Sequence, residues 1–343
     1  MSGSTSRSKF RLALLIGALP LLAVQAACGS ISQPTAATSP CKSLHVAEQR
    51  MTLAAEDLQT PGFATPTGTQ PVGVALDPDG DSVWVLGTGN NTVLHVMPDG
   101  TTVAFQLPVA GDLGIQLSVA RDGTVWVPEK YRSAVVALAA GGSARECALP
   151  RKGSEAAATS VANDGSVWIS EAHGAAIARL TGSHFVEYPT GVEGAEVLAS
   201  SDGGAWFSVH GAQFLGRITA NGALQRIPIG GSGTALGLIQ TADGAVWVAD
   251  FGGDRVVRVG TDGSVSDWTT IAGAKPQSLA VGPGGSVWFT ESGKNHLAVV
   301  RGSKVVDVFQ TGDWPDHMVT NADGWAWFTE YFQDRVGRVR LPG

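Results

Sequence analysis

Between residues 71 and 343 the chain alternates short apolar runs with turn-forming residues and carries no long helical pattern. The segment Gln116 to Pro150, QLSVARDGTVWVPEKYRSAVVALAAGGSARECALP, sets out the unit, in which turn signals divide the apolar runs into four short strands. Its first turn, Asp122-Gly123, recurs as Asp79-Gly80, Asp164-Gly165, Asp202-Gly203, Asp243-Gly244 and Asp323-Gly324, with Gly284-Gly285 in the remaining unit. These dipeptides accept the positive φ that a tight antiparallel turn needs. The second strand reads Val125-Trp126-Val127, Val246-Trp247-Val248 or Val287-Trp288-Phe289. Apolar residues at consecutive positions require cover on both faces of a strand, which stacked sheets supply.

One tryptophan of each unit marks the period. Trp84, Trp126, Trp168, Trp206, Trp247, Trp288 and Trp327 are spaced by 42, 42, 38, 41, 41 and 39 residues. A period near 40 with four short strands is that of a propeller blade. The array therefore predicts an all-β, seven-bladed β-propeller of four-stranded blades. Insertions fall between blades, because the residue eleven after each tryptophan stays within an apolar third strand: His95, Ala137, Arg179, Arg217, Arg258, Val299 and Arg338. If the hairpin register pairs the residue three after tryptophan with the one eight after, these residues lie opposite the tryptophans, where the arginines can stack on the rings.

The seventh unit stops after its third strand, at Arg340-Leu341-Pro342-Gly343. A strand from the N-terminal region, between about Leu44 and Phe63, is expected to complete it and close the ring, removing the open edges of a linear array. Val46 to Leu58 reads equally as a short helix, so the bounds of that strand stay open. Residues 44–343 are thus expected to form the propeller.

The first 27 residues differ in kind. Arg7, Lys9 and Arg11 precede the apolar run Leu12 to Val24, and Ala26-Ala27 lead into Cys28. That order is an export signal, and its apolar run is too short to favour a membrane span. Its Ala-Ala-Cys end resembles a bacterial lipoprotein signal, in which Cys28 would become the lipidated first residue of the mature chain. Gln25 stands where such signals usually carry leucine, and plain secretion or a periplasmic location is the alternative. Residues 28–43, rich in Ser, Thr, Pro and Ala, read as a flexible tether holding the domain off the outer face of the cell membrane.

Cleavage after residue 27 removes three basic and no acidic residues, leaving 20 Lys+Arg against 30 Asp+Glu, a formal charge of −10. Such a balance argues against nucleic acid as a partner. It leaves a small molecule or an extracytoplasmic protein, bound by a monomer whose contact with the membrane is its lipid. Cys41 and Cys147 are an even pair in an oxidising compartment, open either to a disulfide or to two free thiols.

Propeller ligands are expected at one channel mouth, where loops before the first strands and after the second strands converge. Three residues after tryptophan stand Gly87, Glu129, Glu171, Val209, Asp250, Glu291 and Glu330, a carboxylate in five of seven blades. Such repetition points to structure, with the acids accepting loop hydrogen bonds or pairing with Arg255, Lys294 and Arg335. Residues that break the repeat point to function. Positions opening the first strands are mostly small or apolar, yet they also include Gln116, Glu196, Gln277 and the run Trp314-Pro315-Asp316-His317, while His173 and His210 follow second strands. Asp316 beside His317, with Glu330 on the same blade and Glu291 on the preceding one, combines a candidate general base with oxygen ligands of the kind magnesium takes. The plainer alternative is a rim histidine hydrogen-bonded to its neighbouring aspartate.

VWFTESGKNHLAVV at 287–300 and AWFTEYFQDRVGRV at 326–339 resemble the W-F-T-E…N-K-I-G-R-I repeat of the streptogramin B, or virginiamycin B, lyases, over nearly all of residues 71–343. The resemblance implies the seven-bladed fold. It also implies the activity of that family, which opens the lactone of a cyclic depsipeptide antibiotic by elimination, using magnesium and histidine and glutamate residues near the channel mouth. Carried over residue by residue, the family's Pro-His at the start of the sixth blade falls on Pro276-Gln277, and its Glu-Pro-His at the start of the seventh falls on Trp314-Pro315-Asp316. Its metal glutamate after the last W-F falls on Glu330 or, with a one-residue gap, on Tyr331. His317 is displaced by one from the base position, and a one-residue shift on a regular strand turns a side chain to the opposite face.

These departures favour an exported propeller that binds a ligand or protein at its mouth through Gln277, Glu196, Gln116, Trp314 and His210. The lyase alternative takes Asp316 or His317 as base and Glu330, Glu291 or Asp250 as ligands of Mg²⁺. A third reading, a calcium-dependent lactone hydrolase, would draw Ca²⁺ ligands from Glu196, Gln277 and Asp316.

Overall fold

Each Asp-Gly turn joins two strands of one hairpin, and the hairpins assemble into seven separate antiparallel sheets. The computed structural model describes residues 33–343 apart from 58–59, 109–112, 232–233 and 271. Blade 1 runs in sequence order from Pro71–Leu76 to Thr101–Gln106, blade 2 from Ser118–Val119 to Ala144–Ala148, and blade 3 from Ala156–Val161 to His184–Pro189. Blade 4 runs from Gly194–Ala199 to Leu224–Pro228, blade 5 from Ala235–Gln240 to Val265–Thr269, and blade 6 from Pro276–Val281 to Lys304–Gln310. Blade 7 contributes Pro315–Thr320, Trp325–Glu330 and Arg335–Arg340. First strands of neighbouring blades touch, and Pro315–Thr320 of blade 7 packs against Pro71–Leu76 of blade 1, so the ring is closed.

Second strands are buried along their length in blades 1, 3, 4, 5 and 6, because each face packs on a neighbouring blade. The expected hairpin register is present throughout. Trp84 faces His95, Trp126 faces Ala137, Trp168 faces Arg179, Trp206 faces Arg217, Trp247 faces Arg258, Trp288 faces Val299 and Trp327 faces Arg338. Arg179, Arg217 and Arg338 lie 5.0–5.1 Å from the ring centroids of Trp168, Trp206 and Trp327. Arg179 and Arg217 also reach back to the turn carboxylates Asp164 and Asp202, as Arg258 does to Asp243. In blades 3 and 4 the arginine thus ties the indole to the hairpin turn that positions it. In blades 4 and 7 the residue ten after tryptophan is Gly216 or Gly337, and a Cβ there would collide with the ring of Phe207 or Phe328.

The ring closes through the N-terminal region, as expected. Pro61–Ala64 pairs with the third strand of blade 7, setting Val336 opposite Phe63, and Ala54–Asp57 pairs outside it. The chain before that strand differs from the expectation in two respects. Ala47–Thr52 is a strand on the outer edge of blade 1, which removes the helical reading of 46–58. The tether expected over 28–43 is not free where it is described, because Lys42–Leu44 pairs with the edge of blade 2 and Thr35–Thr38 with the edge of blade 3. The physical reason is that an open edge recruits a strand through backbone N–H and C=O groups, which needs no apolar pattern. These strap strands are mostly exposed and polar, so their composition looks like a linker. A Cys41–Cys147 disulfide pins the strap to blade 2. The export signal and Cys28 lie outside the described residues. Among the described residues no helix is long and apolar enough to cross a membrane.

Candidate functional site at the channel mouth

The first strands carry a β-bulge near their start in six blades, between Pro71 and Val74, Ala156 and Ala158, Gly194 and Val197, Ala235 and Leu238, Pro276 and Leu279, and Pro315 and Met318. A bulge sets extra residues against one partner and re-aims their side chains. In blade 7 the bulged residues are Asp316 and His317. The side chain of His317 therefore does not follow regular alternation, which corrects the expectation that its one-residue displacement turns it to the wrong face.

Hydroxyls hold these bulges. The His317 N–H donates to Thr329 Oγ1 at 3.1 Å, and that hydroxyl donates to the Val72 carbonyl of blade 1 at 2.5 Å. Thr290 Oγ1 of blade 6 donates to the Asp316 carbonyl at 2.9 Å. In blade 4 the Glu196 N–H donates to Ser208 Oγ at 3.0 Å, while Ser170 Oγ of blade 3 donates to the Ala195 carbonyl at 2.9 Å. Ser170, Ser208, Thr290 and Thr329 all stand two residues after their blade's tryptophan. Sequence reasoning passed over them, although the repeated hydroxyl at one register position was the visible signal.

The bulges bring three titratable groups together. His317 Nδ1 lies 2.5 Å from Asp316 Oδ1, and Nε2 lies 3.1 Å from Glu196 Oε1, so the imidazole links blade 7 to blade 4. All three are buried, with His317 3 % exposed, Asp316 5 % and Glu196 7 %. Burial opposes the charge on His317, but the hydrogen bonds and charges of Asp316 and Glu196 outweigh it and hold the imidazole up to about 10. As an imidazolium it donates from both nitrogens.

Around this group the mouth is aromatic on one side. Phe251 follows the second strand of blade 5, Tyr331 and Phe332 follow that of blade 7, and Trp314 precedes the first strand of blade 7. Trp314 lies 6.3 Å from Phe251 and 5.8 Å from Phe332, centroid to centroid, and Tyr331 lies 4.9 Å from Phe332. Lys275 Nζ sits 5.3 Å from the Phe251 ring and 5.8 Å from that of Trp314. Trp314 adopts φ 61, the left-handed region that a bulky residue rarely occupies. Phe332 is 50 % exposed, and burial together with Asp316 and Asp334 pushes the Tyr331 phenol up. Phe251, Lys275 and Phe332 did not stand out in the sequence, because each is a single aromatic or basic residue beside a strand end, and Tyr331 stood out only as an alternative place for the family's metal glutamate.

The remaining candidates are placed as follows. Gln277 Oε1 accepts from Ser292 Oγ at 3.0 Å, and Gln116 Nε2 donates to the Val74 carbonyl at 3.1 Å, tying blade 2 to blade 1. His210 is exposed and bridges the backbone of Thr234, and the exposed His173 pairs with Glu155 at 2.8 Å. The acids named for magnesium are not gathered. Glu330 takes Arg335 at 2.5 Å and the Gly312 N–H at 2.7 Å, while Asp250 takes Arg255 at 2.8 Å. Glu291 is buried in blade 6 beside His296 and Asp307. Identical register in three blades places each of these acids inside its own sheet. A cleft of about 550 Å³ lies apart from the mouth, between Phe63, Phe309, Trp325 and Arg338.

Comparison with known proteins agrees with this architecture. The virginiamycin B lyase from Nocardia farcinica is 30 % identical over 150 residues, which cover 43 % of this chain and 51 % of the relative, so the match spans about half the length of that relative. A streptogramin B lyase structure superposes with a TM-score of 0.74 at 22 % identity, covering 85 % of this chain and 97 % of that one. A catalytically inactive virginiamycin B lyase from Staphylococcus aureus with quinupristin superposes at 0.75 and 22 % identity, covering 87 % of this chain and all of that one. At that identity the structures speak for the fold. A model of the virginiamycin B lyase family matches residues 45–190 and 143–343, which together take in most of the chain, and the protein therefore belongs to the virginiamycin B lyase family.

Proposed function

We propose that the protein is an exported, lipid-anchored monomer that binds an amphipathic small molecule at its channel mouth without turning it over. The observation that carries this reading is the aromatic wall of Trp314, Phe251 and Phe332 with Lys275 beside it, Trp314 standing two residues before Asp316 of the Asp316–His317–Glu196 group. Aromatic faces supply apolar area with little conformational entropy to lose, and a cation at their edge selects a polar or anionic group on the same ligand. Turnover is disfavoured by the state of the histidine. A base that removes an α-proton needs a free lone pair aimed at it, and both nitrogens of His317 are engaged as donors. Glu330 and Asp250, which the lyase alternative names as metal ligands, are already held by arginines.

A second reading, lactone opening by elimination, is favoured by family membership and by the acid–histidine–acid group lying at the mouth. A third, lactone hydrolysis with Ca²⁺, would rest on Glu196, Gln277 and Asp316. Quinupristin separates all three. Calorimetric titration into the purified protein is expected to give saturable binding that Trp314→Ala weakens at least tenfold. Recovered ligand is expected to be unchanged in retention and fragmentation in the presence of Mg²⁺ or Ca²⁺. Elimination would open the ring at constant mass, whereas hydrolysis would add one water. Either product would overturn the binding reading, as would the absence of any saturable heat.

A further inference from the structure

The carboxylate three residues after tryptophan has a recurrent companion on the fourth strand. The hairpin register places Glu146, Glu187, Asp267 and Asp307 opposite the residue ten after tryptophan in blades 2, 3, 5 and 6. Two acids on one face of a sheet, on its second and fourth strands, repel each other across the third strand unless a cation stands between them. Arginine does this in blade 5, where Arg255 reaches Asp250 at 2.8 Å and Asp267 at 2.6 Å. Arg132 bridges Glu129 and Glu146 in blade 2. Arg335, fully buried, takes Glu330 and the strap residue Glu56 in blade 7. In blade 3, Arg151 approaches Glu187 and draws on Glu171.

Blade 6 keeps the two acids and changes the cation. Glu291 pairs in register with His296, as Asp250 pairs with Arg255 and Glu330 with Arg335. Ligand atoms of Glu291, His296 and Asp307 all lie within 4.8 Å of one another. Glu291 is fully buried, yet neither of its oxygens has a donor, and Nδ1 of His296 also lacks a hydrogen-bond partner, standing 3.9 Å from Asp307 Oδ2. A buried, orphaned carboxylate costs too much to be left so. Lys294 and Asp254 also face Glu291, and Lys294 is exposed.

We propose that Glu291, His296 and Asp307 form a divalent metal site of the zinc type, in which the ion takes the place that an arginine guanidinium takes in blades 2, 3, 5 and 7. One imidazole and two carboxylates suit a borderline ion such as Zn²⁺, with water completing a tetrahedron. Ligands about 2.0–2.2 Å from zinc sit roughly 3.4 Å apart, so the side chains close inward on binding. The half-buried His296 and the partly exposed Asp307 have the freedom to do so, and they give the ion a path from solvent. The rival occupant is a proton. Burial and the neighbouring Asp307 push Glu291 up to about 8, which fits a proton held between the two carboxyls. A proton alone leaves Nδ1 of His296 unused, whereas a metal uses every orphaned atom. The site shares no residue with the Asp316–His317–Glu196 group or with the aromatic wall.

The test is titration of untagged, chelator-treated protein with Zn²⁺ by calorimetry, followed by Co²⁺ absorption spectroscopy. One equivalent is expected to bind in the micromolar range or tighter, with Co²⁺ giving the visible bands of a four- or five-coordinate site. His296→Ala and Asp307→Asn are each expected to weaken binding at least tenfold. His296→Arg is expected to abolish it while melting no lower than the metal-free parent, since it restores the bridge of blades 5 and 7. The proposal fails if the wild type takes up no stoichiometric metal, if His296→Ala binds as the parent does, or if His296→Arg still binds.

Discussion

His317 Nε2 lies 3.1 Å from Glu196 Oε1 although the two residues are 121 positions apart, so a single hydrogen bond couples blade 7 to blade 4. With Asp316 at 2.5 Å on the other nitrogen, the imidazole carries a charge that two acids share. Removing one member of a buried charged group leaves the others uncompensated, which typically costs about 3–5 kcal/mol. Glu196→Gln should retain a hydrogen bond and lose less than His317→Ala, which leaves two buried carboxylates facing each other. Chemical denaturation of both variants and of the double mutant checks this, and purely additive effects would show that the two residues do not interact.

The same group sets a pH dependence. His317 is raised from 6.5 to about 10, so its contribution is fully present below about pH 6.5 and is lost as the pH rises through 10. Stability should fall by a few kcal/mol across that window. Raised carboxyls add a loss of the same sign at lower pH, and Glu171, pushed up to about 8 by burial and Glu187, is one of them. Denaturation of the parent and of His317→Gln between pH 6 and 10 isolates the histidine. Parallel curves above pH 8 would refute the assignment.

Ring closure predicts unequal truncations. Deleting 44–63 removes the strands over 47–52 and 54–57 and most of Pro61–Ala64, exposing the edge of blade 7. Deleting 29–40 removes one short strand from blade 3 and leaves the Cys41–Cys147 bridge. The first deletion should lower the melting temperature far more than the second, or prevent folding. Equal melting temperatures would mean that the ring does not depend on its closing strand.

Export and anchoring are expected from the first 28 residues. The mature chain should begin at a diacylglyceryl-modified Cys28, and Cys28→Ala should shift the protein from the membrane fraction to the soluble one. Mass spectrometry of the mature N-terminus decides between this and plain secretion, for which an unmodified N-terminus beyond Cys28 is the signature.

What the sequence determined by itself is the repeated part. Tryptophan spacing, Asp-Gly turns and doubly buried second strands define seven blades and even the pairing of each tryptophan with the residue eleven later. Those features are local, since a hairpin's register follows from its turn and from the side chains it must bury. Tertiary structure alone decided the rest. The strap of Thr35–Thr38, Lys42–Leu44 and Ala47–Thr52 is held by backbone groups on sheet edges, which leave no side-chain pattern to read. The bulge that aims His317 at Glu196 is likewise a backbone feature, held by one hydroxyl of its own blade and one of blade 6. Which acids meet a partner from another blade and which are taken by an arginine of their own sheet depends on closing the ring, and no spacing along the chain carries that information.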